Sequence, residues 1–468
     1  MSTEAAPVTP PAPELQQALR RALGDEVVRT DPAALRAAQG DRSGQVSATV
    51  PLAVVEARST GDVQAALRFA TEHRIPVVPR GAGTGLAGAA QAGGGELVVS
   101  TAAMTRVLEV SRDDELAVVE PGVINADLNE RLAGHGLFWA PDPASRAIST
   151  VGGNIATNAG GLHCVKYGVT REAVLGLEVV LADGRAVRVG HRTVKGVTGY
   201  DLTALMIGSE GTLGVITEAT LRLRPLPRGE KVTISAAFDS VEQAARAASV
   251  MVASGIRPAI LELLDATALE GLSAHLGIDL GGRGAQLLVQ TDGDASEREA
   301  SDAEAVIRSL GGRPERSADA ADAERLFEIR RAFHSSNEAR GAVLIEDVAV
   351  PRSALPAMFA AIERVQAEYG ILIPTVAHAG DGNLHPNFVF EADTVDGFVE
   401  VPDHVWDAAD ALFQACLRLG GTLTGEHGVG ILKRRWLRDE LGDDVMDLQR
   451  RLKAVFDPLG ILNPGKAI

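Results

Sequence analysis

The chain has 468 residues, 46% of them hydrophobic, more than one core usually organises, which points to two or three globular subdomains rather than a disordered polymer. Its net charge of −17 repels phosphate and excludes nucleic acid and anionic membrane surfaces as partners. Two distant cysteines, Cys164 and Cys416, exclude a disulfide framework or thiolate cluster, and no apolar run can span a bilayer, so the sequence predicts a soluble cytoplasmic protein.

Residues 1–13, rich in Ala, Pro and Thr, lack the basic and apolar regions of a signal peptide and predict a disordered tail. A helix pattern covers residues 15–23. Residues 50–55 read as a strand, Ser59-Thr60 as an N-cap, 63–70 as a helix and 75–78 as a second strand. A glycine-rich stretch, 80–95, leads into a strand at 97–99. Residues 149–161 are small and polar. Strands at 175–181 and 186–189 flank a turn at Ala182-Asp183-Gly184-Arg185, and 213–223 reads as another strand. Pro225, Pro227 and the linker 228–231 place the main boundary after residue 227. Beyond it, strands at 232–238, 287–290, 343–350 and 372–378 alternate with helices at 241–254, 297–309 and 404–419. That pattern is α+β, with helices on one face of an antiparallel sheet.

Gly83-Thr84-Gly85-Leu86-Ala87-Gly88 has G-x-G-x-x-G spacing. A strand precedes it, but residues 89–95 are too glycine-rich to open the helix that a dinucleotide fingerprint needs. Alone, the segment is either a flexible surface loop or a nest of backbone N–H groups around a pyrophosphate. A second run of small residues, Thr150 to Gly161, favours the nest, because such a backbone approaches a ligand closely.

Two later segments concentrate imidazoles and carboxylates. In Thr375 to Asn387, Gly380-Asp381-Gly382 supplies turn chemistry, so His378 and His385 can meet across a hairpin, with Asn387 on the same side as His385. Two converging imidazoles are either metal ligands or a hydrogen-bonded core pair. In Gly420 to Gly430, the Glu426-His427 dipeptide lies in a glycine-rich turn that reads as following a strand. Glu426 would complete a set of two histidines and one carboxylate, leaving His427 as a candidate base.

Several segments, taken in order, carry a family resemblance. They are Pro79-Arg80-Gly81-Ala82-Gly83-Thr84-Gly85-Leu86, Glu120-Pro121-Gly122-Val123, Pro141-Asp142-Pro143, Gly152-Gly153-Asn154-Ile155-Ala156-Thr157-Asn158-Ala159-Gly160-Gly161, Lys166-Tyr167-Gly168 and Ile207-Gly208-Ser209-Glu210-Gly211-Thr212-Leu213-Gly214. Together they resemble the FAD-binding half of the vanillyl-alcohol oxidase superfamily, and the likeness covers nearly the whole chain. It implies a two-part α/β FAD-binding domain of the PCMH type over residues 14–227. A substrate cap domain with an antiparallel sheet and helices would span 228–420, and residues 421–468 would close back on the FAD domain. FAD would be held by Pro79 to Leu86, Pro121, Gly122, Pro141, Asp142, Gly152, Gly153, Asn154, Ala156, Thr157, Asn158, Gly160, Gly161, Tyr167, Gly168, Glu210, Gly211, Gly214, Ile216 and Asn463. The first loop has no His or Cys to tether a flavin, so non-covalent FAD is expected.

The two His-containing segments, with Phe456-Asp457-Pro458 and Leu462-Asn463-Pro464-Gly465-Lys466, resemble the D-2-hydroxy-acid dehydrogenase branch, which includes D-lactate dehydrogenases and the flavin subunit of glycolate oxidase. Carried over, His378, His385 and Glu426 ligate a divalent metal (zinc, manganese or iron). Asn387 lies beside it as a substrate contact, and His427 binds substrate and takes its hydroxyl proton. Arg330, otherwise a helix-surface arginine like Arg331, binds the substrate carboxylate in bidentate fashion. Hydride would pass to flavin N5. Asp347 also matches, without a derivable role. The implied reaction oxidises a D-2-hydroxy monocarboxylic acid, of the D-lactate or glycolate type, to the 2-oxo acid.

D-2-hydroxyglutarate dehydrogenation is the alternative, but those relatives carry a lysine two residues before the position of Asp347, where this chain has Ile345. A non-haem iron oxygenase would use the same triad and leave the flavin loops unexplained. A scaffold protein would need none of the catalytic set. Quinone, electron-transfer flavoprotein, a partner subunit and oxygen all stay open as electron acceptor, and so does a homodimer.

Overall fold

The computed structural model describes residues 12–280, 282–392, 394–395 and 398–468; the expected tail over 1–11 lies outside the described residues. Ala12 and Pro13, assigned to that tail, instead open a helix, Ala12–Leu23, since proline needs no N–H partner in a first turn. The architecture is the expected mixture of helix and sheet, built on three main sheets.

In the first sheet the order is Val28–Arg29, Ala53–Glu56, Leu97–Ser100, Val77–Arg80, the last three strands parallel. Both faces are buried, as parallel strands demand, with helix Thr60–His73 on one side and helix Pro32–Ala37 on the other. The former begins where Ser59 accepts the Asp62 N–H, the expected cap.

The second sheet, ordered Val107–Ser111, Leu116–Val119, Val215–Arg222, Val174–Val180, Ala186–Gly190, is antiparallel. It is backed by helices Asn125–Ala133 and Val151–Thr157. The latter lies within residues 149–161, which the sequence marks only as small and polar. Thr150 caps it by accepting the Gly153 N–H at 3.2 Å. Val151 and Ile155, one turn apart, bury against the sheet, at about 1.5–3 kcal/mol each. That exceeds the cost of about 1 kcal/mol for each helical glycine.

The third sheet runs Arg313–Arg316, Val232–Phe238, Ala285–Thr291, Ile260–Asp265, Thr375–His378, Asn383–Phe390, Ala342–Ile345, with Val348–Ala349 also on Asn383–Phe390. Its pairs are antiparallel. Helices Val241–Ala253, Ser296–Ser309, Leu355–Tyr369 and Asp403–Arg418 bury their apolar faces against one side. Cover is not confined to that side. Helices Ala266–Leu276 and Ala320–Arg331 shelter the apolar part of the other, around Leu264 and Val376. The strand expected over 343–350 divides at Glu346-Asp347, where the Asp347 side chain accepts from Asn383 Nδ2 on the adjoining strand and from another loop.

After helix Leu437–Phe456 the chain returns to the first sheet. Leu462 makes a parallel bridge with Val77. The Val77 N–H donates to Ile461 O and the Asn463 N–H to Val77 O, both at 2.7 Å. No helix among the described residues is long and apolar enough to cross a membrane.

Candidate active site

Strand alternation selects the residues of the site. In Ile260–Asp265, Leu261 and Leu263 enter the core under the four helices, so Glu262 faces the other side. Its register partner is His378. On the neighbouring strand Leu384 and Phe388 face the same core, which sends His385 and Asn387 to the side of Glu262. The hairpin forms as expected, and the two histidine rings meet edge to face with centroids 5.0 Å apart.

Glu426 sits between the rings. Its Oε1 lies 3.4 Å from His378 Nε2, 3.3 Å from His385 Nε2 and 4.0 Å from His427 Nε2. His427 stacks on His385 at 5.1 Å. Behind His378, the buried Glu262 Oε1 lies 2.5 Å from its Nδ1, while Glu262 Oε2 receives Arg330 Nε and Nη2, each at 2.8 Å. Arg330 is thus no surface residue; it reaches the site through Glu262. Asn387 donates from Nδ2 to His385 O at 3.0 Å, so that amide steadies the histidine strand.

Charge follows this packing. Burial opposes a charged His378, but Glu262 and Glu426 outweigh it and hold the imidazole well above its ordinary pKa. Burial likewise opposes ionised Glu426, yet His378 and His385 keep it far below the usual carboxylate range. His427 differs: burial pushes it down to about 4 against the attraction of Asp347. That leaves a neutral ring, able to accept a proton, at neutral pH.

The loop carrying Glu426 and His427 does not follow a strand; a single bridge, Ala349 with Thr422, precedes it. Two carboxylates hold it instead. Asp347 Oδ2 accepts the N–H groups of Gly425, Glu426 and His427 at 2.9, 2.9 and 3.0 Å, and the Thr424 hydroxyl at 2.7 Å. Burial opposes that charge, but His427 and Lys433 hold Asp347 well below the ordinary range. From the other half of the molecule, Glu210 accepts the Val429 and Gly430 N–H groups at 2.8 Å each. Lys433 Nζ, buried, donates to Asp347 O and Leu423 O.

The residues expected around FAD gather on the facing half. The first loop abuts the Val151–Thr157 helix so closely that a Cβ on Gly81 would lie 2.4 Å from Thr150 Oγ1. A Cβ on Gly152 would lie 2.4 Å from Pro121 Cβ. Asn154 is buried there with its Nδ2 unsatisfied. Asn158 ends the helix in the left-handed region, and a Cβ on Gly161 would meet Asp142 O. Gly160 joins the two sets, since a Cβ on it would fall 2.3 Å from Glu426 Oε2.

Some of these side chains have other employment. Arg80 donates to the carbonyls of Ala37, Gly40 and Ala90, shaping the loop from behind. Tyr167 donates to Asp292 at 2.6 Å, across to the third sheet's strand end. Asn463 Nδ2 donates to Ala89 O and Glu210 O. Ile216 packs into the second-sheet core. Both carboxylate oxygens of Glu210 are bound to the 429–430 loop, and its N–H donates to Ala156 O.

Sequence reading missed Glu262 and Lys433. Glu262 left a trace, a lone carboxylate within Ile260-Leu261-Glu262-Leu263-Leu264, where a buried charge needs a partner. Lys433 left none, because Lys433-Arg434-Arg435 reads as solvated surface.

Comparison with known proteins gives two family matches along the chain. Residues 51–190 match the family described as FAD binding domain, and residues 228–467 match FAD linked oxidases, C-terminal domain. The glycolate oxidase subunit GlcD of Bacillus subtilis (strain 168) is 41% identical, over 89% of each chain. A D-lactate dehydrogenase of Archaeoglobus fulgidus is 37% identical, over 89% of this chain and 91% of that one. In fold, p-cresol methylhydroxylase with substrate bound superposes with a TM-score of 0.79 over 97% of this chain and 96% of the other, at 20% identity. The 4-ethylphenol oxidase of Gulosibacter chungangensis gives 0.76 over the same shares, at 19%. The chain is an FAD-linked oxidoreductase and belongs to the FAD-linked oxidase family, with the fold of the PCMH-type flavoproteins.

Proposed function

We propose that the protein oxidises a D-2-hydroxy monocarboxylic acid, of the D-lactate or glycolate type, to its 2-oxo acid, with non-covalent FAD and a divalent cation. The observation that carries this reading is the convergence of His378 Nε2 and His385 Nε2 on Glu426 Oε1, beside Gly160 of the FAD-binding half. The donor set fits a cation: two imidazole nitrogens and a carboxylate oxygen lie within 4.8 Å of one another. The His378 ring is oriented by a carboxylate on its far nitrogen, as metal-binding histidines commonly are. Orphaned Asn154 Nδ2 and the glycine contacts fit a cofactor pressed against backbone.

When bound, FAD supplies the electron sink, and a cation on His378, His385 and Glu426 lowers the hydroxyl pKa. The chain's own residues do the rest. His427 accepts the hydroxyl proton at Nε2, the nitrogen that faces Glu426. Arg330 supplies positive charge for the substrate carboxylate, held at a fixed angle by Glu262. Asp347 and Glu210 keep the Glu426-His427 loop from relaxing into solvent. The glycolate oxidase relatives are named as subunits, which supports delivery of electrons to a partner subunit or separate acceptor.

Acid precipitation of the purified protein is expected to leave the yellow colour in the supernatant. Colour retained in the pellet would mean a covalent flavin despite the bare first loop.

Substrate size is the second expectation. Ile345 ends the strand Ala342–Ile345 opposite Asn387, an apolar side chain where a second carboxylate would need a cation. With one dye acceptor, kcat/KM for D-lactate, glycolate or D-2-hydroxybutyrate should exceed that for D-2-hydroxyglutarate by at least about tenfold, the effect of roughly 1.4 kcal/mol. Anaerobic bleaching of the flavin by the same acids tests the reaction itself. A panel in which no 2-hydroxy acid bleaches the flavin overturns the proposed function; a preference for the diacid overturns only the role given to Ile345.

A further inference from the structure

The two halves touch along the run from Gly160 to Tyr167, which belongs to the FAD-binding match. A Cβ on Gly160 would lie 2.3 Å from Glu426 Oε2, and one on Gly380, in the turn after His378, would lie 2.3 Å from Val165 Cγ2. Leu162 and Tyr167 pack on Ala259, Ile260, Leu288 and Phe327 of the other half. The run therefore borders the proposed cation site at both its loop and its hairpin. It has little structure of its own to hold it there. Its helix, Cys164–Tyr167, is a single turn, too short to be stable alone, so its place is set by what it bonds to.

The partner is Asp292, just past the strand Ala285–Thr291 and 4% exposed. Its Oδ2 accepts the Tyr167 hydroxyl at 2.6 Å, its Oδ1 takes Lys166 Nζ, and its carbonyl oxygen accepts the same ammonium at 3.0 Å. A buried carboxylate needs donors, and among the described residues both side-chain donors of Asp292 come from the opposite half. Tyr167 is braced on its own side. Phe138 meets its ring edge-on at 5.4 Å, and the Arg224 guanidinium lies 5.7 Å from the ring centroid. Burial, then Asp292, push the Tyr167 hydroxyl up from its ordinary pKa, which keeps it a donor. Leu288 is the register partner of Glu262, so Asp292 stands four residues beyond the level of the site, roughly 13 Å along the strand. At that distance it touches no reacting atom.

We propose that Asp292 is a positioning residue: by gripping Lys166 and Tyr167 it sets how the FAD-binding half lies over His378, His385 and Glu426. The proposal rests on the functional reading above, in which cation and flavin are held by different halves, so that their alignment belongs to the boundary between those halves. Glu210 ties that boundary at Val429 and Gly430, and Asp292 ties it at a second, distant point. Two separated ties resist a rotation that one would allow. Groups that react must be held within about 3–3.5 Å, and a misplacement of about 1 Å can cost about 100-fold in rate.

Rapid anaerobic mixing of the FAD-loaded protein with saturating D-lactate or glycolate, beside quenching of flavin fluorescence by iodide without substrate, tests this. Asp292→Ala should slow flavin reduction at least about tenfold, within the loss that misplacement causes, and make the flavin more accessible to iodide. Flavin and metal content should stay near wild type, since neither set of proposed ligands is altered. Asp292→Asn, which keeps an acceptor for Tyr167, should fall between. Tyr167→Phe removes one oxygen and keeps the ring, so it should shift both readings in the same direction. Combined with Asp292→Asn, its effect should be smaller than the product of the two, as for partners in one bond. Reduction and quenching at wild-type values in Asp292→Ala, or in Tyr167→Phe if Asp292→Ala does not fold, overturn the proposal. So does a fall in rate matched by loss of flavin or metal, because Asp292 would then retain the ligands rather than align them. A wild-type flavin that no 2-hydroxy acid bleaches sinks the functional reading instead, and iodide quenching alone then decides the role of Asp292.

Discussion

Replacement of His427 by alanine is expected to slow reduction of the flavin by substrate at least about 100-fold, the low end for loss of a general base. The expectation rests on the separation of ring from backbone. Asp347 holds this loop through the N–H groups of residues 425, 426 and 427, and alanine keeps all three. The imidazole itself makes no hydrogen bond at Nδ1, so its removal leaves no new partner stranded. Flavin and metal content should therefore stay near wild type while the rate falls. Anaerobic stopped-flow reduction at saturating hydroxy acid measures the rate directly. If it is unchanged, the proton goes to another group.

Removal of the cation should have the other large effect. Glu426 is closed in by three imidazole nitrogens and is one of the three proposed ligands, so chelation should abolish turnover while FAD stays bound. The proposed metal ligands and the residues proposed to hold the flavin lie on different elements: the former belong to the third sheet and its loop, the latter mainly to the first half. Glu262 gives a finer test. Glu262→Gln keeps the shape but weakens the hold on His378 Nδ1, and loss of such an orienting partner lowers metal affinity by about 10–100-fold. Elemental analysis beside the flavin absorbance reads both quantities. Fully active enzyme without metal would remove the cation from the mechanism.

Much of this site was legible in the sequence because it is local. A hairpin with turn residues at 380–382 brings His378 and His385 together, His385 lying two positions from Asn383, the register partner of His378, and alternation along a strand places Asn387 with His385. Two small-residue runs mark a backbone that must be approached closely. Periodicity in the second half found several strands and helices of the third sheet, where each buries one face and the pattern repeats every two residues or every 3.6, but not the strand Ile260–Asp265 or the helix Leu355–Tyr369.

The remainder was decided by chain segments that meet only after folding. Glu262 and His378 are 116 residues apart, Asp347 and His427 are 80 apart, and Glu210 and Val429 are 219 apart. No local spacing encodes those pairs; packing of the sheets creates them, and burial then makes each carboxylate seek whatever donors the neighbouring loop presents. The same reason explains Val151–Thr157. Its glycines speak for a loop locally, while the apolar face of the second sheet, supplied by strands distant in sequence, makes a helix the better arrangement. By itself the sequence determined the kinds of residue at the site and the two-half plan. Tertiary structure decided which carboxylates hold the site in place, because a buried charge is settled by its surroundings rather than by its neighbours along the chain.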